Sequence, residues 1–186
     1  MRLLTSAASR RIPWKNGLGT TLEIATDAAA PGGEWTWRLS IADVPSRARF
    51  SPFPGMDRLI ACLTGPGLNL ERAGTLQFVP REGDALSFAG EDLVTGEPLG
   101  PGVRDVNLMV RRDRWRGRMT LARSRTLVLD GPLILVHVPE DYPPLHVDTA
   151  EGTCELAAST TLIVSGYVAI SDAPGSVSVA CVLTSV

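Results

Sequence analysis

Lysine is almost absent from this 186-residue chain: Lys15 stands alone against seventeen arginines. Histidine is nearly as scarce, with only His137 and His146, and aromatic residues make up 5% of the chain. Three cysteines, Cys62, Cys154 and Cys181, occur without CxxC spacing. Each shortage closes a route. Two isolated histidines, with no His-x-His pair and no carboxylates converging on them, do not read as metal ligands, so neither a metal nor another cofactor is expected. An odd set of cysteines in apolar or small-residue stretches reads as buried thiols in a reducing compartment. The run Leu59-Ile60-Ala61-Cys62-Leu63 supplies no cation or histidine to activate a thiolate. A Gly-x-Ser-x-Gly elbow is also missing, which argues against a serine hydrolase.

The formal charge is −2 and the isoelectric point lies near 5.7. Arginines gather between Arg104 and Arg125, but zinc spacing, a helix-turn-helix pattern, an aromatic platform and a basic tail are all lacking, so nucleic acid is not an expected partner. The stretch Met1 to Arg11 has no apolar core of signal-peptide length, and no run is long enough to span a bilayer. A cytoplasmic protein with no membrane partner is expected.

What the chain does have is 14 prolines and 18 glycines set between alternating and β-branched runs. Helical apolar spacing is hard to sustain anywhere, so the expected fold is all-β. Strands are expected at Leu22 to Thr26, Trp35 to Ala42, Leu59 to Leu63, Thr75 to Val79, Ala85 to Phe88, Val106 to Val110, Met119 to Ala122, Leu133 to Val138, Thr161 to Val164 and Val177 to Leu183. A weak repeat lays Asp57–Leu63 over Asp130–Val138, Arg81–Phe88 over Ala157–Val164, and Val106–Val110 over Val177–Cys181. Such duplication predicts two small β-barrels or jelly rolls packed together, the first over residues 1–115 and the second, smaller one over 116–186.

Lys15 is the first candidate for function, because an ammonium is a compact, titratable charge that a planar guanidinium does not imitate. Around it, Gly17 and Gly19 would let backbone amides approach a small molecule, while Asn16, Thr20 and Thr21 add donors. In the run from Trp35 to Ala42, strand alternation places Trp35, Trp37, Leu39 and Ile41 on one face and Thr36, Arg38, Ser40 and Ala42 on the other. If both faces are enclosed, Arg38 must meet an anion or a carboxylate, for which Glu23 is the candidate. Arg58 opens an apolar strand under the same constraint. It would either contact a ligand or pair with Asp57 or Asp84.

Three blocks in order, Pro13-Trp14-Lys15-Asn16-Gly17-x-Gly19-x-Thr21-x-Glu23-Ile24, Trp37-Arg38-x-Ser40-Ile41-Ala42 and Phe50-Ser51-x-Phe53-Pro54-Gly55-x-x-Arg58, closely resemble the HutD/Ves family. Asp105-Val106-Asn107-Leu108-Met109 is a further echo, and beyond Trp115 the likeness is one of strand pattern. The resemblance implies a cupin-type double barrel (a bicupin) and, for some bacterial members, an association with histidine utilisation and a regulatory or sensing role towards an intermediate such as formylglutamate. The chain departs from the family pattern at Leu18, where a third glycine is common, and it lacks the His-x-His and Glu of metal-dependent cupins.

The resulting expectation is a metal-free bicupin that binds a small anionic, carboxylate-bearing metabolite. Lys15, Arg38 and Arg58 would neutralise the carboxylates, Asn16, Thr21 and Ser40 would donate hydrogen bonds, Glu23 would lie alongside, and Trp14 or Trp37 would form an apolar wall. Two other classes use the same chain differently. An enzyme would employ Lys15 and Glu23 as acid–base or Schiff-base groups, and a protein-interaction module would show a large exposed apolar patch. The long apolar strands also leave an edge open for a homodimer.

Overall fold

A computed structural model describes residues 1–14, 19–171 and 174–186. Among them the regular structure is strand throughout, apart from one 3₁₀ turn at Ser6–Ala8. No helix of the described residues is long and apolar enough to cross a membrane.

The strands form three antiparallel sheets. A six-stranded sheet runs in the order Leu86–Ala89, Met56–Thr64, Arg104–Arg111, Trp37–Asp43, Thr20–Thr26, Arg10–Pro13. A four-stranded sheet, Ala48–Arg49, Val94–Pro98, Leu68–Arg72, Thr75–Phe78, accompanies it. An eight-stranded sheet is built mostly from the later chain, in the order Gly152–Leu156, Leu145–Thr149, Thr161–Ser171, Leu127–His137, Val177–Ser185, Trp115–Arg123, Gly83–Asp84. Its remaining strand is Arg2–Leu4, which pairs with Thr161–Ser171.

Period-two alternation decides what each strand packs against. On Trp37–Asp43 the side chains of Trp37, Leu39 and Ile41 are buried in a core shared with Leu59, Leu63, Val106 and Leu108 of the same sheet and Leu121, Leu135, Val179 and Cys181 of the eight-stranded one. Two sheets are thus bonded face to face, and each fully buried leucine in that seam contributes roughly 1.5–3 kcal/mol. Trp35 is a correction to the expected alternation. The strand begins at Trp37, and the Trp35 ring lies on the opposite side, over the Arg38 guanidinium. A separate cluster, including Ile60, Cys62, Leu68, Leu70 and Val94, fills the space between the six- and four-stranded sheets. A third, including Ile134, Val136, Val147, Leu162 and Ile170, lies within the later part of the chain.

All ten expected strands are present, several of them longer than expected; Leu133 to Val138, for example, lies mostly within Leu127–His137. The strands with no counterpart among those ten are Arg2–Leu4, Arg10–Pro13, Ala48–Arg49, Leu68–Arg72, Gly83–Asp84, Val94–Pro98, Leu145–Thr149 and Gly152–Leu156. The repeat reappears as topology. In chain order, Trp37–Asp43, Met56–Thr64, Leu86–Ala89 and Arg104–Arg111 sit in the spatial order third, second, fourth, first. Trp115–Arg123, Leu127–His137, Thr161–Ser171 and Val177–Ser185 sit in that same order.

Candidate functional site

The face of the six-stranded sheet turned away from the shared core carries the polar residues, arranged in rungs by the strand register. Arg38 and Arg58 both pair with Met109 across the central strand. One rung on, Glu23 pairs with Ser40, Ser40 with Asn107, and Asn107 with Ile60. The next rung holds Thr21, Ala42, Asp105 and Cys62. Above this floor lies a cavity of about 410 Å³ lined by Trp14, Thr21, Arg38, Ser40, Arg58, Asp105, Asn107 and Met109, with the Phe50–Phe53 segment as one wall.

The two guanidiniums are held by aromatic faces. The Arg38 guanidinium carbon is 5.0 Å from the Trp35 ring centre and 5.5 Å from that of Phe53. Arg58 lies 5.2, 5.7 and 5.1 Å from the Phe50, Phe53 and Phe88 rings, and its Nη1 donates to the Ser51 carbonyl at 3.3 Å. Such contacts orient a cation without neutralising it. The Nε atoms of both arginines are buried and without a hydrogen-bond partner among the described residues.

The expected carboxylate partners are engaged elsewhere. Asp57 pairs with Arg112 at 2.7 Å and Asp84 with Arg118 at 3.0 Å, so neither is the partner of Arg58. Glu23 is buried on the same face but does not line the cavity, and its Oε1 is 3.5 Å from Arg10. It acts on Arg38 only through the field, opposing the burial that lowers that residue's pKa.

Burial likewise brings the Arg58 pKa down to about 10, partly opposed by Asp105 and reinforced by Arg38. Asp105 is pushed up to about 7 by burial, against the pull of Arg58 and with the help of Asp43. Its Oδ1, like that of Asn107, is buried and unpartnered among the described residues.

Of the predicted site residues, the structure gathers Trp14, Thr21, Arg38, Ser40 and Arg58 at one cavity. Lys15 and Asn16, with Gly17, lie outside the described residues. The Trp14 indole N–H donates to Thr21 Oγ1 at 2.9 Å, which fixes both side chains at the rim. Trp37 is a correction: it belongs to the shared core and does not line this cavity, a place taken by Phe50 and Phe53. Gly19 serves packing, because a Cβ there would meet the Asp43 carbonyl oxygen at 2.9 Å and the Trp14 ring at 3.1 Å.

Asp105 and Asn107 are the site residues that the sequence reading left out. Their signal was the alternation in Asp105-Val106-Asn107-Leu108-Met109, which puts two polar groups on one face and apolar residues on the other. The cavity wall depends on Gly90, where a Cβ would stand 2.3 Å from the Phe53 carbonyl oxygen and 2.9 Å from that of Met56. Gly90→Ala is expected to lower stability by about 2–3 kcal/mol through a forced shift of the Phe53 turn, read as a reduced urea midpoint. An unchanged midpoint would show that this turn yields freely.

The histidines serve structure. His137 is buried, with Nδ1 2.9 Å from Thr161 Oγ1, and desolvation holds its pKa down to about 4. It borders a second cavity of about 280 Å³, together with Arg11, Asp43, Arg104 and Glu140. His146 is an exposed side chain 4.0 Å from Glu155. Among the described residues no three of His, Cys, Asp and Glu come together as a metal cluster. Cys62 and Cys181 are buried thiols whose pKa burial raises, whereas Cys154 is only half-buried, a correction to the expected set.

Paired antiparallel sheets around a polar interior define a cupin-like barrel architecture. A cupin 2 conserved barrel domain protein from Leptotrichia buccalis shares it, with a TM-score of 0.56 over 93% of this chain and 92% of that one; at 8% identity the likeness is in fold alone. The chain belongs to the HutD family, whose model matches residues 6–177. An uncharacterised 21.2 kDa protein in the hutC 3′ region of Pseudomonas putida is 39% identical over 64% of this chain. The match spans 63% of that relative, under two thirds of its length. Proteins named Ves, such as that of Citrobacter koseri at 33% identity over 66% of this chain and 65% of its own, are also related. Among solved structures, a conserved protein of unknown function from Pseudomonas aeruginosa PAO1 superposes with TM-score 0.84 at 29% identity, covering 100% of this chain and 98% of that one. HutD from Pseudomonas fluorescens SBW25 does so with TM-score 0.78 at 26% identity and the same coverage.

Proposed function

We propose that the protein is a metal-free bicupin that binds a small carboxylate-bearing metabolite in its first barrel and acts as a sensor or regulator. The observation that carries this reading is a pair of guanidiniums, buried Arg58 and half-buried Arg38, facing one cavity with buried, unpartnered Nε atoms. A buried cation is stable only when an anion meets it, and among the described residues no carboxylate lies within ion-pair distance of either. Two guanidiniums repel a metal cation and attract a carboxylate. The repeated strand order supports the division into two barrels, with the cavity in the earlier one.

Charge-assisted contacts are worth about 1.5–3 kcal/mol each. Two or three of them give micromolar recognition after the costs of binding. The names of the relatives, HutD and the hutC region, support a setting in histidine utilisation, where N-formylglutamate has the charge this cavity suits. Lys15, next in sequence to Trp14, would supply a third cation for the carboxylates.

The test is a thermal-shift and calorimetric screen of metal-stripped protein against N-formyl-L-glutamate, glutarate and divalent metals. At a hundredfold excess over Kd a ligand adds about 2.7 kcal/mol to apparent stability, a rise of roughly 5–10 °C for a chain of this size. Lys15→Met should weaken the carboxylate hit about tenfold or more. Silence from every carboxylate overturns the reading, and a shift with metals alone overturns its metal-free part.

A further inference from the structure

The cavity floor changes character along one strand. Asp105, Asn107 and Met109 alternate outward from Arg104–Arg111, and at about 3.3 Å per residue the two ends of this row lie about 13 Å apart. At the Met109 end stand Arg38 and Arg58. At the other end Asp105 sits beside Ala42 and Cys62, with Ser40 and Asn107 between the ends.

A buried polar atom that faces a cavity without a protein partner limits what can sit beside it, because its hydrogen bond must be met by whatever occupies the cavity. The Nε–H groups of Arg38 and Arg58 call for an acceptor. Asn107 Oδ1, and Asp105 Oδ1 once its carboxyl has lost its proton above about pH 7, are acceptors and call for a donor. Asp105 is 1% exposed, Asn107 4% and Arg58 5%, and all three line the cavity, so its contents are what their free atoms face. A plain dicarboxylate offers acceptors only. It would satisfy the arginines and leave Asp105 facing another acceptor, a cost of the kind that lets a polar site reject close analogues strongly.

We propose that this cavity selects a bipolar ligand, with a carboxylate that docks between Arg38 and Arg58 and an N–H group, from an amide or amine, that donates to Asp105 with Asn107 beside it. The inference rests on the carboxylate-binding reading above and adds the donor to it. Asp105 is then the specificity-determining residue, and the arginines set affinity.

The experiment compares two probes that differ at one atom. N-formyl-L-glutamate and 2-formyloxyglutarate have the same carboxylates and the same length, but the ester has oxygen where the amide has N–H. Calorimetry on the intact protein at pH 8 should show the amide binding at least tenfold more tightly than the freshly prepared ester. Equal affinities overturn the donor inference and leave the carboxylate reading standing, whereas no binding by either probe overturns both. Asp105→Leu should keep the affinity for the ester and lose the preference for the amide. A preference that survives Asp105→Leu shows that the donor docks elsewhere and overturns the assignment to Asp105.

Discussion

Arg58→Met should weaken carboxylate binding about a hundredfold and, in the same protein, raise its stability. Arg58 is 5% exposed and lies near a second, half-buried cation, Arg38, whose charge helps to lower its pKa. Its surroundings are the rings of Phe50, Phe53 and Phe88, which suit a thioether at least as well as a cation. A buried ion carries a desolvation penalty of several kcal/mol, and an apolar side chain of similar length in its place removes that penalty. The lost ring contacts and the single bond to the Ser51 carbonyl offset part of that gain. We expect a net rise of about 1 kcal/mol, or roughly 2–4 °C in melting temperature. Affinity for N-formyl-L-glutamate should fall about a hundredfold, the loss of one strong charge-assisted contact at about 1.4 kcal/mol per tenfold. Calorimetry and a melt on one preparation read both effects. A variant that binds normally, or that is destabilised by several kcal/mol, would show that Arg58 is held for structure and not for a ligand.

The second large effect is hidden in the parent protein because two buried groups oppose each other. The folded state raises Asp105 from 3.8 to about 7, so it keeps a proton that the unfolded chain has already released. That group's contribution is complete below about pH 4 and is lost as pH rises towards 7. His137 behaves in the opposite sense. Folding lowers it from 6.5 to about 4, so below 6.5 the unfolded chain binds the extra proton, and stability is lost as pH falls towards 4. Each group alone gives a slope of up to about 1.4 kcal/mol per pH unit, with opposite signs between about pH 4.5 and 6.5. The parent should therefore show little net slope from this pair. Asp105→Asn should reveal stability that climbs by about 2–3 kcal/mol across the window, and His137→Gln stability that falls by a similar amount. Urea melts at pH 4.5, 5.5 and 6.5 decide the point, and parallel curves for all three proteins would show that neither group titrates as described.

Much of this molecule was legible in its alternation. Trp37-Arg38-Leu39-Ser40-Ile41 announces one face for a core and one for polar chemistry, and the sheet enforces that division rung by rung. The strands left out were short, polar or interrupted. Leu145–Thr149 alternates, but with His146 and Asp148 outward beside a hairpin partner that begins at Gly152, and Val94–Pro98 contains both Gly96 and Pro98. Such segments become strands because neighbours pair with them, a tertiary effect that local propensity does not express. The site divides in the same way. Arg38, Ser40 and Arg58 could be read from position, whereas the aromatic cage of Phe50, Phe53 and Phe88 around Arg58 depends on segments that meet only after folding. Trp35 lands on the other side of the sheet because its strand starts two residues later than the alternation suggests, which frees the ring to turn over Arg38.

The pairing of Arg2–Leu4 with Thr161–Ile163 also gives the chain an order of events in time. Residues 2–4 are separated from the strand that receives them by about 160 residues. The six-stranded sheet draws on no strand beyond Arg104–Arg111, so the floor of the cavity can assemble before this contact closes. Closing so long a loop is slow compared with hairpin formation. Until it closes, the edge of Thr161–Ile163 that faces away from Leu127–His137 is open to a mistaken partner.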